Sequence, residues 1–464
     1  MNPPRFRLSR PMRPLRYARL VPALLTLLLL AGCHATTANF DDRLVVGEVI
    51  MHSEFATHLR AITTPGGRLS GTEGGRAAEE YMAAQARALG LRNVAFEPFT
   101  MPGWKLRETV VSVLDEPPVV LTGALGLGNS LSTPVEGITA ELVDVGQGSP
   151  DEFAAVGEKL RGRFALTAHG GQHRSAKMDA VIAAGGVGLI VMAAPAADPV
   201  IGMVHWTPRP QPGLVISHDD GERLVERLAA GEVVRVNVRL TADSWQAEPR
   251  NVVAEIPGCG RLAREVVIVG AHLDSWDLAE GAIDNGSGAA VILEVARALT
   301  RVGWQPRRTV RFVWFMGEEH GLYGSRAYVA AHADELDHIV TMVNVDMPGE
   351  PRGWAHFGHA EIEPLLAGVT ESLAAYELSP EIQVWPGAPS DQQPFVDQGV
   401  CGLWMLGDMG PGVVVYHTAR DTYERVDRRR SNAAAVALAV LTRRLADAPQ
   451  RPAGRRAVAA ETGE

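Results

Sequence analysis

Five residues with metal-binding side chains occur in order between Gly270 and His417: His272, Asp284, Glu319, Asp346 and His417. His272, Glu319 and Asp346 each follow an apolar, β-prone run, at 265–271, 309–316 and 339–345. The strand ends of an α/β sheet bring ligands to one point in this way. Two imidazoles and three carboxylates suit a pair of zinc ions, with one carboxylate shared between them.

The residues around each candidate sharpen the chemistry. In His272-Leu273-Asp274, side chains two apart along an extended segment face the same way. Asp274 is therefore expected to accept the second ring N–H of His272, which fixes its tautomer and raises its basicity. Asp284 lies in Gly281-Ala282-Ile283-Asp284-Asn285-Gly286-Ser287-Gly288, where the glycines allow a tight turn before a helix. Helix capping is the competing use of an Asp there; Asn285 or Ser287 can take that task and leave Asp284 for metal. Glu318-Glu319 directly follows a strand, and adjacent carboxylates repel unless a cation lies beside them. One can bind metal while the other takes a proton from metal-bound water. Taken singly, each motif also fits a plain structural use, His417 as an ordinary hydrogen-bonding loop residue included. Five in order, on predicted strand ends and Gly-rich loops, point to one centre.

The elements that must hold these residues alternate from Asn251 onward. Strands are predicted at 265–271, 309–316, 339–345 and 400–406, and helices at 288–299, 325–332, 361–376 and 431–446. Such alternation predicts an α/β fold with a doubly wound, mainly parallel sheet and helices on both faces. Upstream, 45–62 has helical periodicity, 63–75 is a Gly-rich loop and 76–89 is an amphipathic helix stopped by Gly90. The loop lacks the spacing and the Lys of a phosphate loop and is assigned as a connector. Between 109 and 240 the texture changes: β-prone runs at 110–114, 141–145, 163–167 and 188–192 surround one predicted helix, 177–184. None of the five candidate ligands lies there, so the stretch predicts an inserted β-rich domain. The expected organisation is a signal at 1–32, an N-terminal helical part at 33–120, the insert at 121–240, the ligand-bearing domain at 241–448 and a disordered tail at 449–464.

Composition sets outer bounds. The chain has 464 residues, 46% hydrophobic and 21% charged, as expected of two or three globular domains. Its net charge is −10, although residues 1–32 hold six Arg (Arg5, Arg7, Arg10, Arg13, Arg16, Arg19) and no acid. The remaining chain is more acidic still, which excludes nucleic acid as an expected partner. That Arg-rich start leads into an apolar run, 20–31, too short to span a bilayer, and then into Leu30-Ala31-Gly32-Cys33. The order is similar to a bacterial lipoprotein signal with Cys33 as the lipidation site. It predicts export and a membrane anchor, most readily on the outer membrane facing the periplasm; a plain secretory signal is the alternative. Cys259 and Cys401 are the other two cysteines; they either pair in an oxidising compartment or stay as buried thiols.

Taken together, His272-Leu273-Asp274-Ser275-Trp276-Asp277 with the Gly281 to Gly288 loop, Glu318-Glu319-x-Gly, Asn344-x-Asp346, and Tyr416-His417-Thr418 with Asp421-Thr422 resemble a known family. It is the di-zinc exopeptidase family of carboxypeptidase Q, glutamate carboxypeptidase and bacterial secreted aminopeptidases. The likeness covers about residues 45–445, and 135–230 is similar to the protease-associated insert of many members. It implies the zinc exopeptidase fold and two Zn2+ per chain. His272 and Asp346 would be terminal ligands of one ion, Glu319 and His417 of the other, with Asp284 bridging. Glu318 becomes the general base, Asp274 orients His272, and the Tyr416 hydroxyl helps hold the tetrahedral intermediate. Ser390 and Asp391 occupy a segment that lines the substrate cleft, where Gln392-Gln393 departs from the commoner residues.

The activity implied is hydrolysis of a terminal peptide bond in short peptides or dipeptides, through a metal-bridged hydroxide. The His-Leu-Asp-Ser-Trp-Asp run is closest to carboxypeptidase Q; an aminopeptidase of the same family is the alternative. A carboxypeptidase needs a cation or a nest of amides for the substrate carboxylate, with Arg352 and Arg420 as candidate cations, and an aminopeptidase needs an acid for the ammonium. Two further readings are one-zinc glutaminyl cyclase chemistry and a catalytically inactive peptide-binding or receptor-like module. The complete ligand set argues against both. Relatives also make a homodimer an expectation.

Overall fold

The computed structural model describes residues 41–410 and 415–456. Cys33 and the predicted signal lie outside the described residues. Three helices come first: α1 (Asp42–His52), α2 (Phe55–Thr63) and α3 (Glu73–Ala88). The single periodic stretch predicted at 45–62 is thus two helices. Thr72 caps α3, its hydroxyl accepting from Gly75 N–H. Strand β1 (Arg92–Pro98) then joins the first sheet.

The chain leaves that sheet after β1 and returns only at Arg250. In between it builds a second sheet from β2 (Met101–Val113), β3 (Val119–Leu121), β4 (Leu125–Gly126), β5 (Ile138–Asp144), β6 (Phe164–Thr167), β7 (Gly188–Met192), β8 (Gly213–Ile216) and β9 (Arg235–Ala247). Helices α4 (Pro150–Val156), α5 (Arg174–Ala183) and α6 (His218–Ala229) pack within the same stretch. The strand order is β3-β2-β9-β5-β6-β7-β8-β4. β2 and β9 pair antiparallel from Met101↔Ala247 to Val113↔Val236, so they form the two-stranded stalk of this unit. The boundaries expected at 121 and 240 therefore fall inside it. Two of its three helices were not foreseen in a stretch expected to be mostly strand.

From Arg250 the first sheet is completed by β10 (Arg250–Ile256), β11 (Val266–His272), β12 (Thr309–Phe315), β13 (Ile339–Asn344), β14 (Glu350–His356), β15 (Glu381–Val384) and β16 (Gly402–Asp408). Helices α7 (Ser287–Arg301), α8 (Tyr323–Ala331), α9 (Glu363–Ala374), α10 (Gln393–Asp397) and α11 (Arg428–Asp447) connect or follow them. The order is β1-β10-β12-β11-β13-β16-β14-β15. The centre, β12-β11-β13-β16, is parallel, whereas β1, β10 and β14 pair antiparallel with their inner neighbours. The sheet is mixed, with a parallel core and antiparallel flanks.

Alternation along the buried strands assigns the two faces. Val267, Val269 and Ala271 of β11 face one core with α1, α2, α3, α7, α9 and α11, while Val266 and Ile268 face a smaller core with α8 and α10. Helices thus cover both faces. α7 is buried from Ser287 to Leu299, which its small residues permit because α11 packs directly on it. The tail expected to be disordered from 449 is docked as far as it is described. Arg451 donates to the carbonyls of Asp337 and Ile339, and Ala453 is buried. Its arginines find main-chain and carboxylate acceptors, a use that composition does not reveal. Among the described residues, no helix is long and apolar enough to cross a membrane.

Candidate metal centre

β11, β12 and β13 run parallel and end level with one another, with His272 paired to Phe315 and Gly270 to Asn344 in register. His272 closes β11. Glu318 and Glu319 follow β12 after Met316 and Gly317, and Asp346 follows β13 after Val345. Asp284 enters from the turn before α7 and His417 from the loop before α11. The turn at 281–288 is held by a buried network. Gly281 takes a left-handed φ of 58°, and Ser275 lies so close that no Cβ would fit there. Asn285 Oδ1 accepts from Gly288 N–H at 3.0 Å and from Met347 N–H at 3.0 Å, so Asn285 does the capping and Asp284 is spared it.

All five candidate ligands converge. His272, Asp284 and Asp346 form one group whose ligand atoms lie within 4.8 Å of one another; Asp284, Glu319 and His417 form a second. His272 Nε2 lies 3.1 Å from Asp284 Oδ1 and 3.3 Å from Asp346 Oδ1. His417 Nε2 lies 3.0 Å from Asp284 Oδ2 and 3.0 Å from Glu319 Oε2. Each Asp284 oxygen therefore belongs to a different group.

The tautomers follow from the far side of each ring. His272 Nδ1 is 3.1 Å from the Asp274 carbonyl oxygen, and His417 Nδ1 is 2.9 Å from the Ile201 carbonyl oxygen. A carbonyl only accepts, so each Nδ1 carries a proton and each Nε2 is aimed at carboxylates. With Nε2 unprotonated, only acceptors face one another there, an arrangement that a cation between them satisfies. Glu319 Oε1 is buried and has no hydrogen-bond partner. Mixed N and O donors, an orphaned carboxylate oxygen and fixed tautomers fit zinc in both groups.

The electrostatics show the same crowding. Burial opposes a charge on His272, yet Asp346 and Glu318 outweigh it and hold the imidazole well above its ordinary pKa. Burial likewise opposes a charge on His417, but Glu319 and Asp284 push it up to about 10. Burial, together with repulsion from Asp284, raises Glu319 to about 7. Glu318 also lies well above the usual range, through burial and through Asp346, Asp391 and Glu319.

Several neighbours depart from expectation. Asp274 reaches His272 through its main-chain carbonyl; its carboxylate, 3.6 Å from Nδ1, is beyond hydrogen-bond distance. The carboxylate instead accepts from Ser70 Oγ at 3.1 Å and from Glu318 N–H at 3.3 Å. Tyr416 stacks on His417, ring centroids 3.7 Å apart. Ser390 and Asp391, expected to line a cleft, have 1% and 0% of their surface exposed. Burial raises the Asp391 carboxyl to about 7, and the charges that reach it include His272 and Asp346. Cys401 is a free, buried thiol pushed up to about 12 by burial, so it does not pair with Cys259.

The sequence did not single out the groups behind the ligands. Arg68, in the Gly-rich loop taken as a connector, donates to the carbonyls of Leu273, Glu280 and Gly281 at 2.7 Å each. Asp421 accepts from the N–H groups of Ile283 and Asp284 at 2.7 and 3.0 Å. Both are buried. Asp421 stood in a quoted motif, but nothing in its spacing gave it this partner.

Such a sheet, with two overlapping three-residue groups of imidazole and carboxylate at its strand ends, defines a di-zinc metallo-exopeptidase. Residues 251–442 match the profile of Peptidase family M28. Carboxypeptidase Q of Bos taurus is 29% identical over 401 residues, covering 83% of this chain and 84% of that protein. Aminopeptidase YwaD of Bacillus subtilis is 27% identical over 383 residues, covering 79% and 78%. The crystal structure of a peptidase M28 precursor from Shewanella amazonensis superposes with a TM-score of 0.79 at 23% identity, covering 90% of this chain and 98% of that one.

Proposed function

We propose that this chain hydrolyses a terminal peptide bond in short peptides, with dipeptides as its first substrates, in the manner of carboxypeptidase Q. The observation that carries this reading is the division of Asp284 between two imidazoles that each face a further carboxylate. His272 and Asp346 would hold one ion, Glu319 and His417 the other, and Asp284 both. When bound, a zinc pair supplies carbonyl polarisation and a water acidified to near neutrality. The remaining steps belong to side chains. Glu318, whose basicity burial and the neighbouring carboxylates raise above that of an ordinary carboxylate, takes a proton from the attacking water and delivers it to the leaving amine. Asp274 holds the Glu318 main chain in place. The Tyr416 hydroxyl is assigned to the tetrahedral oxygen.

The test is an assay on dipeptides with free ends and on the same dipeptides blocked at either end, with and without chelator. Chelator-sensitive cleavage lost on blocking the carboxyl end supports the carboxypeptidase or dipeptidase reading. Loss on blocking the amino end favours the aminopeptidase alternative, which the likeness to YwaD supports. No cleavage of any of them by zinc-loaded protein overturns both. Glu318→Gln is expected to keep its zinc while losing roughly 10²- to 10⁴-fold in kcat; near-normal turnover, or loss of zinc, refutes the general-base role.

Two finer assignments belong here. The unit between Met101 and Ala247 is proposed as a protease-associated insert, since it begins and ends on paired neighbouring strands. Cys33 is proposed as a lipid anchor on a bacterial membrane, from the order of the segment before it.

A further inference from the structure

Behind the metal centre lies a second set of polar side chains, which the ligand geometry leaves without partners. Ser390 Oγ, both Asp391 oxygens, and both ends of the Gln392 and Asn344 amides are buried and meet no hydrogen-bonding group. Each of the four residues is at most 1% exposed. Protein interiors leave few such atoms unpaired, because each costs its hydration without return. A cluster of them calls for an occupant.

The fold brings the four to one place. Asn344 ends β13 two residues after Met342, so its side chain shares the face that Met342 turns to α8 and α10. Met342 pairs in register with Gly402 of β16, and a Cβ on Gly402 would lie 3.5 Å from the Gln392 Cβ. Ser390, Asp391 and Gln392 lead directly into α10. Ser325 of α8 stands beside Asp391, its hydroxyl bonded to the Leu322 carbonyl at 3.3 Å. The charges of His272 and Asp346 also reach Asp391, so the cluster lies under their half of the centre.

The charge there does not balance. Seven carboxylates crowd the centre and the space behind it: Asp274, Asp284, Glu318, Glu319, Asp346, Asp391 and Asp421. Two zinc ions would bring four positive charges, and Arg68 and Arg174 bring one each. His272 and His417 are neutral as metal ligands and add none. Arg352 is paired with Asp408 at 3.0 Å and Arg420 with Asp198 at 2.7 Å, so the cations singled out from the sequence are spent elsewhere. The positive side is one charge short, and a buried charge without compensation is costly.

We propose that Asn344, Ser390, Asp391 and Gln392 form a binding site for an alkali cation, sodium or potassium, beneath the zinc pair. The donors are a carboxylate, a hydroxyl and two amide carbonyls. Oxygen without nitrogen or sulfur selects a hard cation over zinc. A single carboxylate and a deficit of one charge select a monovalent ion over calcium or magnesium. Water completing the shell accepts from the two amide NH2 groups. The ion holds the segment before α10 against the Asp346 side of the centre. The charge count rests on the zinc pair assigned above; the unpaired oxygens do not.

The test follows the melting temperature of zinc-loaded protein in choline chloride as sodium, potassium or calcium chloride replaces it at constant ionic strength. Sodium or potassium should raise it by roughly 1–4 °C, as a ligand that binds only the folded state does; the ion with the larger effect is the one the site takes. Asp391→Asn should abolish the rise. Gln392→Met, which keeps the volume and removes one oxygen, should need roughly tenfold more salt for the same rise; it decides the matter if Asp391→Asn does not fold. Equal melting in choline, sodium and potassium overturns the proposal. So does a rise that the variants share with wild type, or a response to calcium alone. Zinc content measured in the same samples keeps the two claims apart. Fewer than two zinc ions per chain contradicts the metal pair, while the alkali site stands or falls on the melting series.

Discussion

Asp284 bears more of the centre than any other side chain, because each of its oxygens faces a different imidazole. Its own placement depends on Asp421, whose carboxylate takes two consecutive buried N–H groups. Asp421→Ala would leave both donors unpaired, at about 1–3 kcal/mol each. Chemical denaturation should show that loss, and zinc should bind more weakly because Asp284 is no longer held; stability and zinc affinity equal to wild type would remove Asp421 from the site. At this scale the ligands were legible in the sequence. Their types are rare in apolar surroundings, and their order along strand ends was visible. Arg68, Ser70 and Asp421 were not, because their partners include main-chain groups more than a hundred residues away, which no local pattern encodes.

The strands and helices that deliver the ligands were legible where they were apolar and long. β11, β12, β13 and α7 fall within a few residues of the predicted spans. β14 and β15 were missed: β14 carries Pro351, Arg352 and Gly353, and β15 is a half-exposed edge strand of four residues, so neither reads as a long apolar run in the sequence. The stalk strands β2 and β9 were misplaced for a related reason. Their 13-residue spans mix charged and apolar residues, with intermediate and exposed positions along both. The junction of α7 with the strand ends carries its own prediction. A Cβ on Gly288 would meet the Val345 carbonyl and the Asn285 side chain at once, and the carbonyl belongs to fixed backbone. Gly288→Ala is therefore expected to cost about 1–3 kcal/mol and to lower the melting temperature; calorimetry showing no change would mean that the turn yields.

Across the whole molecule, the two units meet at the centre. Trp104 of β2, Leu69, Ile201, Met203 and Trp276 form one buried cluster, and Trp276 sits edge-on to His417. Lys105 adds an ion pair to Asp277 at 2.7 Å. The second unit thus fixes one ring that the first unit uses for metal. Trp104 is 1% exposed and donates to the Ser130 carbonyl at 2.7 Å. Trp104→Ala should cost about 3–5 kcal/mol. Because Ile201 shares its cluster, zinc should be lost from the His417 group more readily than from the His272 group. Competition with a graded series of chelators would show two unequal affinities in the variant; equal weakening at both would mean that the interface does not orient His417. None of this coupling was readable from sequence, since Ile201 is an ordinary apolar residue whose carbonyl does the work.

The central claim is that five side chains from separate strand ends and loops hold two metal ions with one carboxylate in common. Elemental analysis of the purified, zinc-equilibrated protein tests it most directly when wild type is compared with Asp284→Ala. Two zinc ions per chain in the wild type, with both lost or severely depleted in Asp284→Ala, is the predicted result. One ion or none in the wild type, or a variant that keeps two, would contradict it.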